Sequence, residues 1–343
     1  MKKPIMGLAP MDGVTDITFR TIVDRYGQPS VLFTEFVPVE AIKAGATAVL
    51  KEFITYPSST PTIAQLYGTD LEGYRIATLI VYELGFGGID INMGCSAKSV
   101  TARGAGAGLI QNPDHAHKII QTVKKAKEDG MNGAHSKASI PVKLKEMVER
   151  MKHNAQECSD MAISVKTRIG YGSVQTESWI SELAQESLAA ITIHGRTFVQ
   201  GYGGKANWDE IAKAAQIIHA SSEDTVVLGN GDIKSSKQAE EYCKSYGVEG
   251  VLVGRGALGN PWIFSGVTPT PADRLRVALE HAKLFVQLEP TGHFVQIRKH
   301  LGWYCAHFPQ ANAIHEHLIY ANSLSEVESI IRHAPSEHRE EVG

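Results

Sequence analysis

Cys95 is the residue whose type and position most directly suggest chemistry. It ends the run Asn92-Met93-Gly94-Cys95, where an apolar strand-like segment stops, and a glycine-rich stretch follows at 103–108 (RGAGAG). A lone cysteine is usually a small buried hydrophobic residue, and we interpret Cys158, Cys243 and Cys305 in that way. The position at a strand end instead predicts a reactive thiol at residue 95, in a loop that could act as a mobile lid.

Polar residues and glycines follow seven of the eight strand-like runs in the same manner. In a parallel β/α barrel the C-terminal ends of the strands form one face, and catalytic groups lie there. These residues therefore predict a single site. In strand order they are Pro10, Met11, Asp12 and Gly13; Gln65; Asn92; Lys166 and Arg168; His194 and Arg196; Asn230, Gly231 and Asp232; Gly254 and Arg255.

Glycines in the last two of these runs predict a phosphate site. The segments 229–231 and 254–256 offer bare backbone amides that an anion can approach, and Arg255 adds positive charge. The segment 254–259 also matches GxGxxG, but no βαβ unit follows it, so a Rossmann interpretation is weak. Tight turns are the alternative interpretation of these glycines.

The phosphate site together with Lys166, Gln65 and His194 indicates FMN. An ammonium group such as that of Lys166 stabilises the negative charge that a flavin gains on reduction, and Gln65 can pair with the pyrimidine edge of the ring. A salt-bridged barrel lysine and a hydrogen-bonded structural histidine are the alternatives for Lys166 and His194.

The elements that must position these residues alternate between strand and helix as far as residue 264. Eight such alternations predict an α/β fold, a (β/α)8 TIM barrel over residues 1–266, with an open doubly wound sheet as the alternative. The expected strands are 5–9, 31–34, 62–66, 88–91, 162–167, 190–193, 225–228 and 250–253. The expected helices include one that Asp16 caps and that stops at Gly27, then 71–84, 114–127, 178–187, 209–220 and 237–246.

Two segments depart from this alternation. Residues 126–160 are polar, with an amphipathic stretch at 143–152, and predict a helical insertion that is either a plain surface feature or a contact for RNA or a partner. Residues 267–343 predict a small all-helical C-terminal domain, with helices at 273–287, 293–307, 311–320 and 324–333.

Composition narrows the class of protein. The net charge of −3 argues weakly against a bulk nucleic-acid coat protein but leaves room for a local basic face. The four cysteines form no CxxC pair and no cluster at zinc spacing, which predicts no metal site and a reducing, cytoplasmic location. No signal peptide and no membrane-spanning segment are expected.

Several strings resemble the tRNA-dihydrouridine synthase family, and the resemblance covers nearly the whole chain except 126–160. The combination of Asn-x-Gly-Cys at 92–95 with GRGALGNPW at 254–262 is specific. The first of these belongs to the longer matching string DINMGC at 90–95, and the other matching strings are APMDGVTD at 9–16, VKTR at 165–168, HGRT at 194–197, GNGDI at 229–233 and RKHLGWY at 298–304.

The resemblance implies that the protein reduces uridines in tRNA to dihydrouridine. Tightly bound FMN would deliver hydride to C6 of uracil, Cys95 would give a proton to C5, Asn92 would hydrogen-bond the uracil, and NADPH would reload the flavin. A thiol with an ordinary pKa of about 8.5 stays protonated at neutral pH, which suits a proton donor. The flavin site implied by the family comprises Pro10, Met11, Asp12, Gly13, Gln65, Lys166, His194, Asn230, Gly231, Asp232, Gly254 and Arg255.

The substrate base must leave its stack to reach such a site, so the enzyme must hold the RNA backbone. We expect Arg298, Lys299 and His300 of the helical domain to do this, with Arg168 and Arg196 nearer the site, in a monomer that engages one tRNA. A solvated helix face is the alternative for Arg298 and Lys299.

The chain departs from the family pattern at Ser96, where a proline is usual after the cysteine, at Asp12, and in the size of the insertion. Two other functions are alternatives to the reduction of uridines in tRNA. The first is an FMN barrel oxidoreductase acting on a small molecule, similar to dihydroorotate dehydrogenase. The second is a non-catalytic RNA-binding module that retains the fold.

Overall fold

The computed structural model describes residues 4–132, 140–152, 161–289, 292–306, 308 and 311–334. Cys158, much of the predicted insertion and the C-terminal tail from residue 335 lie outside the described residues.

Eight parallel strands form one sheet in the order β1-β8-β7-β6-β5-β4-β3-β2. The remaining gap between β1 and β2 is bridged at Gly7 and Val31, where the Leu8 N–H donates to the Val31 carbonyl at 3.1 Å. The sheet therefore closes on itself, and the predicted barrel is confirmed. The strands are β1 Ile5–Leu8, β2 Leu32–Pro38, β3 Thr62–Tyr67, β4 Gly88–Met93, β5 Ala162–Arg168, β6 Ala190–His194, β7 Val226–Asn230 and β8 Gly250–Val253.

Most strands run beyond the last apolar residue that marked their expected end. The ladder continues because inter-strand pairing needs only backbone groups, whatever the side chain. Asn92 pairs with Lys166 in register, Arg168 pairs with His194, and His194 pairs with Asn230. These polar residues consequently lie on the rigid barrel wall and not in loops.

Helices surround the barrel. The predicted caps are confirmed, since Asp16 accepts from the Phe19 N–H and Asp70 accepts from the Gly73 N–H. The helix expected at 143–152 is present as α6, with Leu144 and Val148 buried. The helices of this part are α1 Ile17–Gly27, α2 Val39–Lys43, α3 Leu71–Glu83, α4 Lys98–Thr101, α5 Pro113–Met131, α6 Val142–Met151, α7 Thr176–Ala184, α8 Trp208–Ser221 and α9 Ser236–Tyr246.

Four further helices follow the barrel: α10 Pro271–Leu288, α11 Arg298–Tyr304, α12 Ala311–Leu318 and α13 Leu324–Arg332. The single helix expected at 293–307 is a short 3₁₀ turn, Phe294–Gln296, followed by α11. These helices share an apolar core that also includes Ile22 of α1 and Trp262 after β8. None of the described helices is both long enough and apolar enough to cross a membrane.

A buried chain of hydrogen bonds joins the helical region to α1. The imidazole of His281 lies 3.1 Å from the Tyr304 hydroxyl and 3.0 Å from the Thr18 hydroxyl, which itself donates to Asp16 at 2.7 Å. Because Thr18 gives its only proton to Asp16, it must accept from Nε2–H of His281. Burial in this network favours the neutral imidazole, whose Nδ1 then accepts from the Tyr304 hydroxyl.

We predict that this neutral histidine makes stability fall on acidification. Burial lowers the pKa of His281 from 6.5 to about 4, so the unfolded chain binds the extra proton first as pH falls. Its contribution is complete above pH 6.5 and is lost between there and pH 4, amounting to about 3 kcal/mol. Urea unfolding at several pH values measures this slope. His281→Asn should flatten it, whereas replacing exposed His293 should not.

Candidate active site

A buried relay of hydrogen bonds leads from the barrel interior to the backbone of Cys95. Asp90 accepts from the Gln65 amide at 2.6 Å, and Gln65 in turn accepts from the Asn92 amide at 2.9 Å. The Oδ1 of Asn92 then accepts from the N–H groups of Gly94 at 3.0 Å and Cys95 at 2.8 Å. Each member orients the next, so the relay fixes the turn that presents the thiol.

The loop that carries Cys95 is anchored at both ends. The Cys95 carbonyl accepts from the Ala107 N–H at 3.1 Å, and Gly106 packs so closely that a Cβ there would lie 3.0 Å from that of Cys95. The short helix α4 lies in the chain between Cys95 and Gly106. The structure thus shows a folded-back turn, where the sequence suggested a mobile lid.

The Cys95 side chain is half-buried at the barrel mouth. Burial raises the pKa of the thiol above its ordinary value, and the carboxylate of Asp12 adds to this effect, while Arg168 and Lys166 oppose it. The net result is a thiol that keeps its proton at neutral pH. Such a group is suited to donate a proton and poorly suited to attack as a thiolate.

Arg168 links the cysteine loop to the loop after β6. Its guanidinium donates to the Gly94 carbonyl at 2.7 Å and lies 3.4 Å from the Ser96 hydroxyl. It also donates to the carbonyls of Thr197 and Gly201, each at 3.2 Å. Only 4% of Arg168 is exposed. The arginine therefore acts as a clamp beneath two loops, and not as the RNA contact expected from the sequence.

Arg196 has a similar position one strand further on. It is 1% exposed and donates to Asp232 at 2.7 Å and to the Gly204 carbonyl at 2.6 Å. Asp232 also accepts from exposed Arg255 at 3.0 Å. Arg196 is buried in the wall of the site, so, like Arg168, it is not available for direct contact with RNA.

His194 is neutral in this setting. Burial lowers the pKa of its imidazole far below the usual range, and the nearby Lys166, Arg168 and Arg196 add to the effect. Its Nε2 lies 3.3 Å from an Arg196 nitrogen, and because a guanidinium can only donate, this Nε2 must accept. The hydrogen-bond pattern thus assigns the proton to Nδ1, which makes Nδ1–H the donor of His194.

Lys166 is half-buried on β5, in register with Asn92. Burial lowers the pKa of its ammonium to about 8, with Arg168 contributing in the same direction and Asp90 opposing it. The side chain is therefore largely charged at neutral pH but close to losing its proton. An ammonium at this position can stabilise a negative charge that develops nearby.

The backbone at the ends of β7 and β8 has an unusual conformation. Gly231 has a φ of 128°, Asp232 follows with a φ of 59°, and a Cβ on Gly231 would lie 2.6 Å from that of Ala206. After β8, Gly254 leads directly into a 3₁₀ turn, Arg255–Ala257, whose first N–H groups have no partner within the turn. Bare amides beside Arg255 are the features that a phosphate group needs.

The loop after β1 lies beside the backbone amides that follow β8, which we call the phosphate cradle. Met11 is close to Gly254, since a Cβ on the glycine would be 3.5 Å from the Met11 sulfur, and Pro10 is half-buried. Asp12 and Gly13 are exposed. Although the residue is exposed, partial desolvation of its carboxylate raises the pKa of Asp12, Glu52 adds to the rise and Lys299 opposes it.

The three basic residues expected on one RNA-contacting face are not equivalent. Arg298 donates to the Ala321 carbonyl at 2.7 Å, and Lys299 donates to the Gly13 carbonyl. His300 is 1% exposed between Phe19, His281 and Trp303, and neither of its ring nitrogens has a hydrogen-bond partner. The structure therefore buries His300, while Arg298 is half-buried and Lys299 is exposed.

The sequence reasoning gave Asp90 no role beyond its place in a family string, and it missed Tyr202. Asp90 lies in the middle of an apolar strand, and only the inward-facing register reveals its bond to Gln65. Tyr202 is 65% exposed on the β6 loop, with its ring 5.2 Å from the Arg255 guanidinium. Its signal in the sequence was an aromatic residue among glycines at 201–204.

We predict that Asn92→Ala lowers turnover about 100-fold, because it leaves two backbone N–H groups without their acceptor and releases the turn at Cys95. Asn92→Asp keeps the accepting oxygen and should lose less. Single-turnover rates at saturating substrate measure the effect. Equal losses in the two variants would argue against the positioning role.

The protein matches one known family over nearly its full length. A family model described as dihydrouridine synthase matches residues 7–145 and 138–337. The two matched segments meet inside the stretch 126–160, where the chain departs from regular barrel alternation.

Individual relatives agree with this match. A probable tRNA-dihydrouridine synthase 1 of Synechocystis sp. is 30% identical over 96% of this chain and 85% of its own length. A probable tRNA-dihydrouridine synthase of Staphylococcus aureus is 28% identical over 100% of this chain and 96% of its own length. Among solved structures, DHODH from Eimeria tenella aligns with 82% of each chain at 12% identity and a TM-score of 0.47.

Proposed function

Because this chain belongs to the dihydrouridine synthase family, we propose that it reduces uridines in transfer RNA to 5,6-dihydrouridine, with FMN as resident flavin and NADPH as electron donor. The observation that carries the proposal is the half-buried Cys95 at the barrel mouth, in a turn that Asn92 and Arg168 hold and with the Lys166 ammonium near enough to act on the thiol.

The residues present fit FMN. The bare amides after β7 and β8, with Arg255 anchored by Asp232, suit its phosphate. Lys166 and the Nδ1–H of His194 suit the polar edge of the ring, and the Pro10–Met11 segment lies next to the phosphate cradle. Bound there, FMN supplies the hydride that C6 of the uracil accepts.

The protein's own residues would supply the proton and the geometry. Cys95 gives the proton to C5, so that hydrogen adds across the C5–C6 double bond, and solvent restores the thiol. The relay through Asn92 and the clamp by Arg168 hold that sulfur in place. In this role Gln65 orients Asn92 from a fully buried position, in addition to any contact with the flavin.

The test uses tRNA from cells that lack the gene. Purified protein is expected to hold FMN and, with NADPH, to form dihydrouridine in this tRNA. Free uridine and dihydroorotate are the comparison substrates. The proposal fails if only a small molecule reoxidises the reduced flavin, and a protein that takes up no flavin would indicate a non-catalytic RNA-binding module.

A further inference from the structure

The helical region contacts two of the loops that the proposed function assigns to FMN. Three of the matching family strings meet at these contacts. RKHLGWY at 298–304 forms α11, APMDGVTD at 9–16 follows β1, and GRGALGNPW at 254–262 follows β8. Binding of RNA by the helical region would not require contact with the flavin loops, so these contacts indicate a separate role.

The first contact is on the segment that follows β1. The ammonium of exposed Lys299, on α11, donates to the Gly13 carbonyl. Gly13 has a φ of 68° and lies in the turn at 12–14. Further along the same segment, the His281 imidazole of α10 lies 3.0 Å from the Thr18 hydroxyl. The helical region therefore holds this segment at two points, one on each side of the start of α1.

The second contact is on the segment that follows β8, a few residues beyond Arg255. Gly259 is buried with a φ of 63°, and a Cβ there would lie 2.0 Å from the Trp303 carbonyl oxygen of α11. Only glycine allows so close an approach. Arg274 of α10 donates to the Gly259 carbonyl at 2.9 Å, with its guanidinium 6.0 Å from the centre of the Trp262 ring. Both α10 and α11 thus hold the segment that begins with the phosphate cradle.

Holding a loop in place affects how tightly the loop binds a ligand. A loop that already has its binding conformation loses less conformational entropy when the ligand arrives, so the affinity is higher. The segments after β1 and β8 are held by the same small group of helices. By thermodynamic linkage, a ligand that contacts both segments must in turn favour the docked position of those helices.

We propose that the helical region is part of the FMN site, and that Lys299 and Arg274 are positioning residues that hold the loops after β1 and β8 for the flavin. This inference rests on the proposed function, since it takes FMN as the ligand. It gives the face formed by α10 and α11 a role that does not involve RNA. The effect of this face on flavin binding can therefore be measured without tRNA.

The experiment compares two double variants of the full-length flavoprotein. R274Q/K299Q removes both side-chain donors to the two loops. K283Q/R332Q is the matched control, because Lys283 pairs with Glu328 inside the helical region at 3.8 Å and Arg332 is exposed on α13. The rate of FMN release after dilution is followed by the fluorescence of free flavin. It is measured at about 0.1 M and about 0.5 M salt, since high salt screens the lost charges but leaves loop positioning in place.

Hydrogen exchange measures the loops directly, after FMN has been removed. The useful amides are those bonded within the two turns. Val14 and Thr15 donate to Met11 after β1, and Ala257 donates to Gly254 after β8. Exchange at these amides should be faster in R274Q/K299Q than in wild type, because the turns open more often when their outer contacts are lost.

R274Q/K299Q should release FMN about tenfold faster than wild type, or more, at both salt concentrations, since two hydrogen bonds from charged donors are lost. Lys299→Gln alone, at an exposed residue, should give about a threefold increase. Lys299→Arg should restore most of the wild-type rate, because a guanidinium can still donate to the Gly13 carbonyl. The control should match wild type.

Unchanged FMN release in R274Q/K299Q, an equal change in the control, or an effect that disappears at high salt would overturn the inference. Wild-type protein that takes up no FMN would overturn both the inference and the proposed function. Wild-type protein that holds FMN through these contacts but forms no dihydrouridine in tRNA would count against the proposed function alone.

Discussion

Cys95→Ala is expected to lower dihydrouridine formation at least 100-fold while leaving flavin binding and tRNA affinity unchanged. Removing a positioned general acid typically costs a factor of about 10² to 10⁴. The thiol is suited to the role because burial and Asp12 raise its pKa and keep it protonated. Its backbone bonds to Asn92 and Ala107 persist in the alanine variant, so the loop should stay in place.

Single-turnover formation of dihydrouridine, with saturating tRNA and pre-reduced flavin, measures this effect. Cys243→Ala is the matched control, since that thiol is buried on α9 away from the mouth. Cys95→Ser should also be slow, because a hydroxyl gives up its proton far less readily than a thiol. Near-normal rates in Cys95→Ala would show that another group donates the proton.

Arg168→Met is expected to lower kcat about 100-fold with a smaller change in KM for tRNA. The variant removes the donor that holds Gly94 to the β6 loop, and a displacement of about 1 Å at the thiol is enough for such a loss. It also leaves three carbonyls without their donor. A loss of stability of a few kcal/mol should accompany the kinetic effect.

Alkylation of Cys95 separates loop positioning from general damage. A released loop exposes the sulfur, whereas loss of the Arg168 charge raises the pKa of the thiol and lowers the thiolate fraction. The rate constant of iodoacetamide with the thiolate, taken from the plateau of a pH series, should therefore be larger in Arg168→Met than in wild type at equal folded fraction. Arg168→Lys should rescue little, because an ammonium cannot span carbonyls on two loops as a planar guanidinium does. Arg332→Met, on exposed α13, is the control. Unchanged alkylation together with low kcat would assign Arg168 to substrate or flavin binding.

Much of the fold followed from patterns that are local in the chain. Caps at Asp16 and Asp70 depend on side chains that bond to the backbone three residues on. Alternation of strands and helices implied a barrel, and the rule that chemistry lies at C-terminal strand ends placed Cys95, Lys166 and His194 on one face. The predicted ends of the strands were less exact, because the backbone pairing of β4 to β7 continues into polar residues.

The sequence by itself determined the barrel, the helical region and the strand ends at which polar groups gather, because periodicity and capping are encoded within a few residues. Only the tertiary structure decided what each long side chain contacts. Arg168 and Arg196 lie beneath loops, His300 lies in an apolar interface, and the side chains of Lys98 and Lys205 are exposed. Those outcomes depend on partners brought close by folding, and the free energy of burying or pairing a charge is set by such neighbours.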